Sequence, residues 1–302
     1  MTEPIADVAT AIALGQRQRQ EDAVIANFAN GADSGFAVLS DGMGGHDDGD
    51  LAARIIVSEV FGAFNIASRT ASKDQATLRE RLRQAILIAN QSLRDQVDAG
   101  VGQEGMGGTV ITAFIRDDTM SWISIGDSAL YLFREDQLQR LNEVHSLAPQ
   151  IDLLLEQGAI DEETARNHPQ RSCLTSALVG AAINLIDCPA DPLPLLPGDI
   201  IVMASDGLEV LREHRIREIL SHHRHASSQQ IARALMEAVA EADSPEQDNT
   251  SVIVIKPAFA DMEHTATRSG AVADPRFLDP VRGSLFDLRQ NITAMLTGRS
   301  AL

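Results

Sequence analysis

Aromatic side chains make up only 4% of this chain, so its core has to be aliphatic. Lysine is scarcer still: Lys73 and Lys256 are the only two, and the other basic residues are arginines. The two cysteines, Cys173 and Cys188, supply neither a disulfide framework nor a zinc-ligand spacing. Both are read as buried free thiols in a reducing cytoplasm. Positive charge is short, with 25 Lys and Arg against 43 Asp and Glu, a net −18. Nucleic acid is therefore not expected as a partner, because phosphate backbones call for clustered cations. No apolar run approaches the roughly 20 residues that span a bilayer. Met1 to Thr10 carries Glu3 and Asp7 without Lys or Arg, which is not a secretory leader. The expected setting is the cytoplasm, with no membrane partner.

What the chain does have is carboxylates placed beside strands. Asp41-Gly42-Met43-Gly44-Gly45-His46 follows the apolar run 35–39 and precedes a helical stripe. Glu21-Asp22 stands before the run 23–28. Asp206-Gly207 closes the run 200–204, and Asp248-Asn249 precedes the run 251–255. Oxygen donors collected without Cys or paired His suit a hard divalent cation such as Mg or Mn. The acid excess lies wholly in residues 1–260, because the five acids and five arginines of residues 261–302 cancel.

In chain order, strands are expected at 8–14, 23–28 and 35–39, with a turn at Asn30-Gly31. Leu51, Ile55, Ile56, Val60 and Phe64 recur at helical spacing, and Leu78, Leu82, Ile86, Ala89, Leu93 and Val97 form a second stripe. Two amphipathic helices in succession form a layer over a sheet. A glycine-rich loop at 100–108 follows; it lacks Gly-Lys-Ser/Thr and is no nucleotide cradle. The runs 110–115, 121–125, 129–133 and 137–141 read as an antiparallel meander. Residues 146–172 read as a helical flap inserted among the strands. Another strand is expected at 183–188, then a strand at 200–204, helices at 209–220 and 229–242, and a last strand at 251–255. The domain so defined is 1–256. Residues 257–283 read as a linker, and 284–298 as a short amphipathic helix that could dock a partner.

Seven motifs in this order resemble the metal-dependent protein phosphatase family, the protein phosphatase 2C type, in its bacterial form. They are Arg17-Gln18-Arg19-Gln20-Glu21-Asp22; Asp41 to His46; Gly107-Gly108-Thr109; Gly126-Asp127-Ser128; His168-Pro169-Gln170-Arg171 with Leu174 to Leu178; Ser205-Asp206-Gly207-Leu208; and Asp248-Asn249. The resemblance implies an α+β fold, a four-layer αββα sandwich of two mainly antiparallel sheets with helix pairs on both outer faces. It implies a site in which Asp41 bridges two Mn2+ or Mg2+ ions, with the Gly42 carbonyl on one and Asp206 and Asp248 on the other. It places Asp127 on a third ion, Glu21 and Asp22 in an outer shell, and Arg17 on the phosphate. The implied reaction is hydrolysis of phosphoserine and phosphothreonine by a metal-bridging water. Such chemistry needs no Cys or Ser nucleophile.

Three positions depart from the family pattern. Met43 stands where some members carry a histidine proposed as general acid, which leaves His46 as a candidate proton donor. Gln20 replaces a common Asn, and Gly108 a frequent Thr. His145 and His168 read as structural. The expected partners are phosphorylated proteins, with the enzyme opposing a Ser/Thr kinase. The alternatives are a non-catalytic phosphoprotein-binding regulatory module on the same fold and a hydrolase of small phosphoesters.

Overall fold

The computed structural model describes residues 5–29, 32–44, 48–68 and 75–259. Three strands come first: β1 Ala6–Ala13, β2 Asp22–Asn27 and β3 Ser34–Met43. Two long helices follow, α1 Asp48–Ser68 and α2 Gln75–Asp98. Short strands come next: β4 Gly107–Gly108, β5 Val110–Arg116, β6 Thr119–Ser121, β7 Ser124–Ile125, β8 Ala129–Arg134 and β9 Gln137–Arg140. The helices α3 Ala148–Glu156 and α4 Glu162–Arg166 interrupt them. The chain closes with β10 Leu193–Pro194, β11 Ile200–Ala204, a 3-10 turn Asp206–Val210, α5 Glu213–His222, α6 Ser228–Glu241 and β12 Thr250–Pro257.

Two antiparallel sheets result, ordered β1-β12-β11-β8-β9 and β10-β6-β5-β3-β2, with β4 and β7 hung on β3 and β5. Side-chain alternation along each strand sorts residues into layers. Ala37 and Leu39 of β3 point inward with Ile111, Ala113 and Ile115, and meet Leu130, Ile201, Met203 and Ile253 of the other sheet. Phe36 and Val38 point outward onto Ile56, Val60, Phe64, Leu82, Ile86 and Leu93 of α1 and α2. On the far side Val202, Ala204 and Val252 face Ile216, Ile219, Ile231 and Leu235 of α5 and α6. The order is helices, sheet, sheet, helices, the αββα sandwich that the resemblance implied. Each helix pair buries only one stripe, and for α6 a capping box of Ser227 and Gln230 fixes where the stripe starts.

The structure corrects several expectations. The four runs from 110 to 141 are not one meander. The chain changes sheets at Gly126–Ser128, so β5 to β7 and β8 to β9 belong to different layers. The run 183–188 forms no strand; it has a single bridge, Ser124 to Asp187. Ser176 explains this, because its hydroxyl takes the N–H of Leu185 at 3.0 Å and donates to its carbonyl at 2.9 Å, leaving neither for a ladder. The helix expected at 209–220 starts late, at Glu213, since the 3-10 turn occupies 206–210. Cys188 is buried as expected, but Cys173 is exposed. Residues 146–172 do contain two helices, α3 and α4. The turn at Asn30-Gly31, most of the linker expected over 257–283, and the helix expected at 284–298 lie outside the described residues.

Candidate metal centre

Strand pairing brings the first two carboxylates together. Asp22 and Asp41 are register partners across β2 and β3. β3 runs past Leu39 because Asp41 finds partners: its N–H donates to Thr109 Oγ1 at 3.0 Å, and its carbonyl accepts from the Thr109 N–H at 2.8 Å. Asp41 therefore lies inside a strand, not on a loop. Thr109 in turn bonds Ser128 at 2.7 Å, which ties Asp41 to the loop of Asp127. Gly42 donates its N–H to the Glu21 carbonyl at 3.0 Å. Only glycine fits here, because a Cβ would stand 2.0 Å from the Gly49 carbonyl oxygen.

The other sheet contributes the rest. Asp206 opens the 3-10 turn after β11, and Asp248 precedes β12. Asn249 joins the sheets: its side chain accepts the Glu21 N–H at 2.7 Å and donates to the Leu14 carbonyl at 2.8 Å. Ser205 does the same for Asp22, donating to its Oδ2 at 2.8 Å. Arg140 secures Asp127 by donating to its carbonyl and by pairing with Glu209 at 3.2 Å.

These side chains open on one cleft of about 710 Å³, lined by Arg17, Glu21, Asp41, Gly42, Asp127, Asp206 and Asp248. Asp22 lies buried behind it. The segment 172–184, neutral throughout, supplies another wall of the cleft. Among the described residues, Arg17 is the one basic side chain on the lining. It is half exposed and bonds Asp248 Oδ2 at 2.5 Å. The second Asp248 oxygen accepts the Asn249 N–H at 2.7 Å.

The charge balance is unfavourable as it stands. Desolvation, then the charges of Asp206, Asp22, Asp127 and Asp248, hold the Asp41 carboxyl well above the usual range. Burial, then Asp127 and Asp248, push Asp206 up to about 8. Burial raises Asp22 to about 6 against the opposing Ser205 hydroxyl. Burial and Glu209 raise Asp127 to about 6 against Arg140. Burial also raises Glu21. Asp206 Oδ1 and Asp22 Oδ1 are buried without a hydrogen-bond partner. Crowded carboxylates with idle oxygens fit a hard cation, which would remove both penalties. Among the described residues, no three His, Cys, Asp or Glu stand as a ligand set ready-made for an ion. Both Asp248 oxygens are engaged, one by Arg17 and one by the Asn249 N–H.

Arg17, Glu21, Asp41, Gly42, Asp127, Asp206 and Asp248 thus share one cleft, with Asp22 behind. His46 lies outside the described residues. Sequence reasoning missed the supporting groups: Thr109, Ser128, Asn249, Ser205 and Arg140. Four of these stand inside or beside quoted motifs, yet their partners are far along the chain; Asp22 and Ser205, for example, are 183 residues apart.

A family model described as Protein phosphatase 2C matches residues 13–248. The serine/threonine phosphatase stp of Listeria monocytogenes serovar 1/2a is 29% identical over 198 residues, 65% of this chain and 76% of that protein. The serine/threonine protein phosphatase PstP of Mycobacterium tuberculosis is 28% identical over 232 residues, 75% of this chain and 42% of that one. Among solved structures, the catalytic domain of PstP in complex with two manganese ions is similar with a TM-score of 0.66. It is 25% identical, and the likeness covers 83% of this chain and 97% of that one.

Proposed function

The chain belongs to the protein phosphatase 2C family and is a serine/threonine protein phosphatase, and we propose that it is metal-dependent and works through the acidic cleft. Asp41, the Gly42 carbonyl, Asp206 and Asp248 would hold two core cations, with Asp127 serving a third ion. When bound, Mn2+ or Mg2+ lowers the pKa of a shared water enough for attack on phosphorus and offsets charge on the phosphoryl oxygens.

The chain's own residues do the rest. Arg17 leaves Asp248 and grips the phosphate through its planar fork, suited to two oxygens at once. Glu21 and Asp22 would support the ligands from around them. Ser205 and Asn249 keep Asp22 and the Glu21 backbone in place, as supporting groups around a metal do. Thr109 fixes the Asp41 backbone, so the carboxylate is held on a strand and not on a loop. The proton donor to the leaving oxygen is unassigned, with His46 the nearest candidate in sequence.

The observation that carries the reading is the convergence of Asp41, Asp127, Asp206 and Asp248 on one cleft, where an Asp206 oxygen is buried without a partner and burial holds the Asp41, Asp127 and Asp206 carboxyls above their ordinary range. The relative solved with two manganese ions supports the choice of cofactor. The natural substrates are then phosphoserine and phosphothreonine proteins, with the enzyme opposing a Ser/Thr kinase in the cytoplasm. Among the described residues, no helix is long and apolar enough to cross a membrane. Residues 284–298 would serve as a docking helix.

The test is phosphate release from a phosphothreonine peptide and from an aryl phosphate, with Mn2+, with chelator, and as Asp41→Asn. Turnover is expected with Mn2+ alone and should vanish with chelator or the substitution. Turnover that survives both would rule out the metal mechanism. Tight phosphopeptide binding without turnover would favour the regulatory module.

A further inference from the structure

The cleft has two unlike sides. Its floor is acidic, while Leu174, Ala177, Val179 and Ala182 put small and aliphatic groups on another wall. The wall has no helix or ladder of its own, yet it is pinned at its start, where the Cys173 carbonyl accepts the Leu147 N–H and the Thr175 N–H donates to the His145 carbonyl, and at three further places. Gly108 and Leu178 exchange both backbone hydrogen bonds at 2.9 Å, which joins the wall to the residue preceding Thr109. Ser176 closes the base of the loop on both backbone groups of Leu185. The third clamp comes from α2, outside the cleft. The Asn90 amide donates to the Ala181 carbonyl at 2.7 Å and accepts the Gly180 N–H at 2.9 Å. Gly180 makes that approach possible. Its φ is +71°, and a Cβ would stand 2.9 Å from the backbone of Arg94 on α2.

We infer that Asn90 is a positioning residue for substrate choice, holding Val179 and Ala182 as an apolar wall that favours phosphopeptides with small aliphatic residues beside the phosphorylated one. This rests on the phosphatase reading above and names the substrate class for the same site. Electrostatics sets the direction of the choice. The wall offers no Lys, Arg or His to an acidic flanking residue. The net charge of −18 repels such a residue. An aliphatic flank meets no repulsion and loses water against Val179 and Ala182. The phosphate itself is held at the floor, so a small ester lacking flanks is indifferent to the wall.

The experiment compares kcat/KM with Mn2+ for a Val-flanked phosphothreonine peptide, a Glu-flanked one and an aryl phosphate. The full-length wild type is expected to favour the Val-flanked peptide about tenfold over the Glu-flanked one. Asn90→Ala removes both clamp bonds and should cut that preference to about twofold, with the aryl phosphate affected less than either peptide. Ala182 is exposed, so Ala182→Lys should fold normally. It puts a cation on the wall and should shift preference toward the Glu-flanked peptide. Equal wild-type rates on both peptides, or a preference unmoved in both variants, would overturn the inference while leaving the phosphatase reading intact. No turnover on any substrate, aryl phosphate included, would overturn that reading and this one together.

Discussion

The floor and the wall share one cleft, but they are built differently. Asp41 of the floor and Asp22 beside it are strand-borne, while Asp127, Asp206 and Asp248 stand at strand ends. Asp22 and Asp41 are register partners across β2 and β3, next to the buried inner core of the two sheets. The wall is irregular chain, held by backbone bonds to Gly108, His145 and Leu147 and by the side chains of Asn90 and Ser176. The strand pair can hold Asp22 and Asp41 close together because the ladder does not let them separate. A loop so pinned keeps one shape, but each of its side-chain pins is a single residue. In the reading proposed above, chemistry falls to the part anchored on and beside the strands, and substrate choice to the part that one substitution can loosen.

Four measurements would break or sharpen that contrast. The largest effect belongs to the floor. Asp206→Asn should lower Mn-dependent turnover about 10³-fold, as loss of a preorganised charge at a reacting centre does. In chelator the same variant should melt higher than wild type, because it removes one of the crowded charges. Ser205→Ala comes next. It strips Asp22 Oδ2 of its donor and should weaken Mn2+ binding about 10- to 100-fold, read by metal titration. Third is Gly180→Ala on the wall. It should cost about tenfold in phosphopeptide kcat/KM, with far less effect on an aryl phosphate. Equal losses on both substrates would erase the distinction between wall and floor.

The smallest effect is in stability against pH. Asp206 at about 8, and Asp22 and Asp127 at about 6, lie above their ordinary 3.8. The folded, metal-free chain therefore holds more protons than the unfolded one across that window. Its stability should fall as pH rises from about 4 to 8. Cations replace those protons, so the rise in Tm on adding Mn2+ should be larger at pH 8 than at pH 6. A stabilisation by Mn2+ that did not change with pH would count against ligands that give up protons.

Much of this molecule was legible before its structure. The stripes of α1 and α2 were read from spacing alone, because a helix repeats every 3.6 residues whatever it packs against, and both do line one core. Most long strands were found within a few residues. The failures share a cause. β3 continues to Met43 because Thr109 and Gly107–Gly108 supply partners far along the chain. The run 183–188 fails as a strand because Ser176 takes the backbone groups of Leu185. The supposed meander divides because the layer a strand joins is settled by its neighbours, not by its own apolar content. For the site, carboxylate positions were visible as short motifs, whereas Asn249, Ser205, Arg140 and Asn90 declare their tasks only through partners.

The order of residues alone determined which side chains could bind a hard cation, which faces of the helices were apolar, and that the chain carried far more acid than base. Tertiary structure decided that acids from opposite ends of the chain share one cleft, that two of their oxygens are left buried without partners, and that a neutral loop joins them in lining it. The physical reason is range. Helical periodicity and turn preference act over a few residues, but desolvation and repulsion among carboxylates exist only once packing has brought them together.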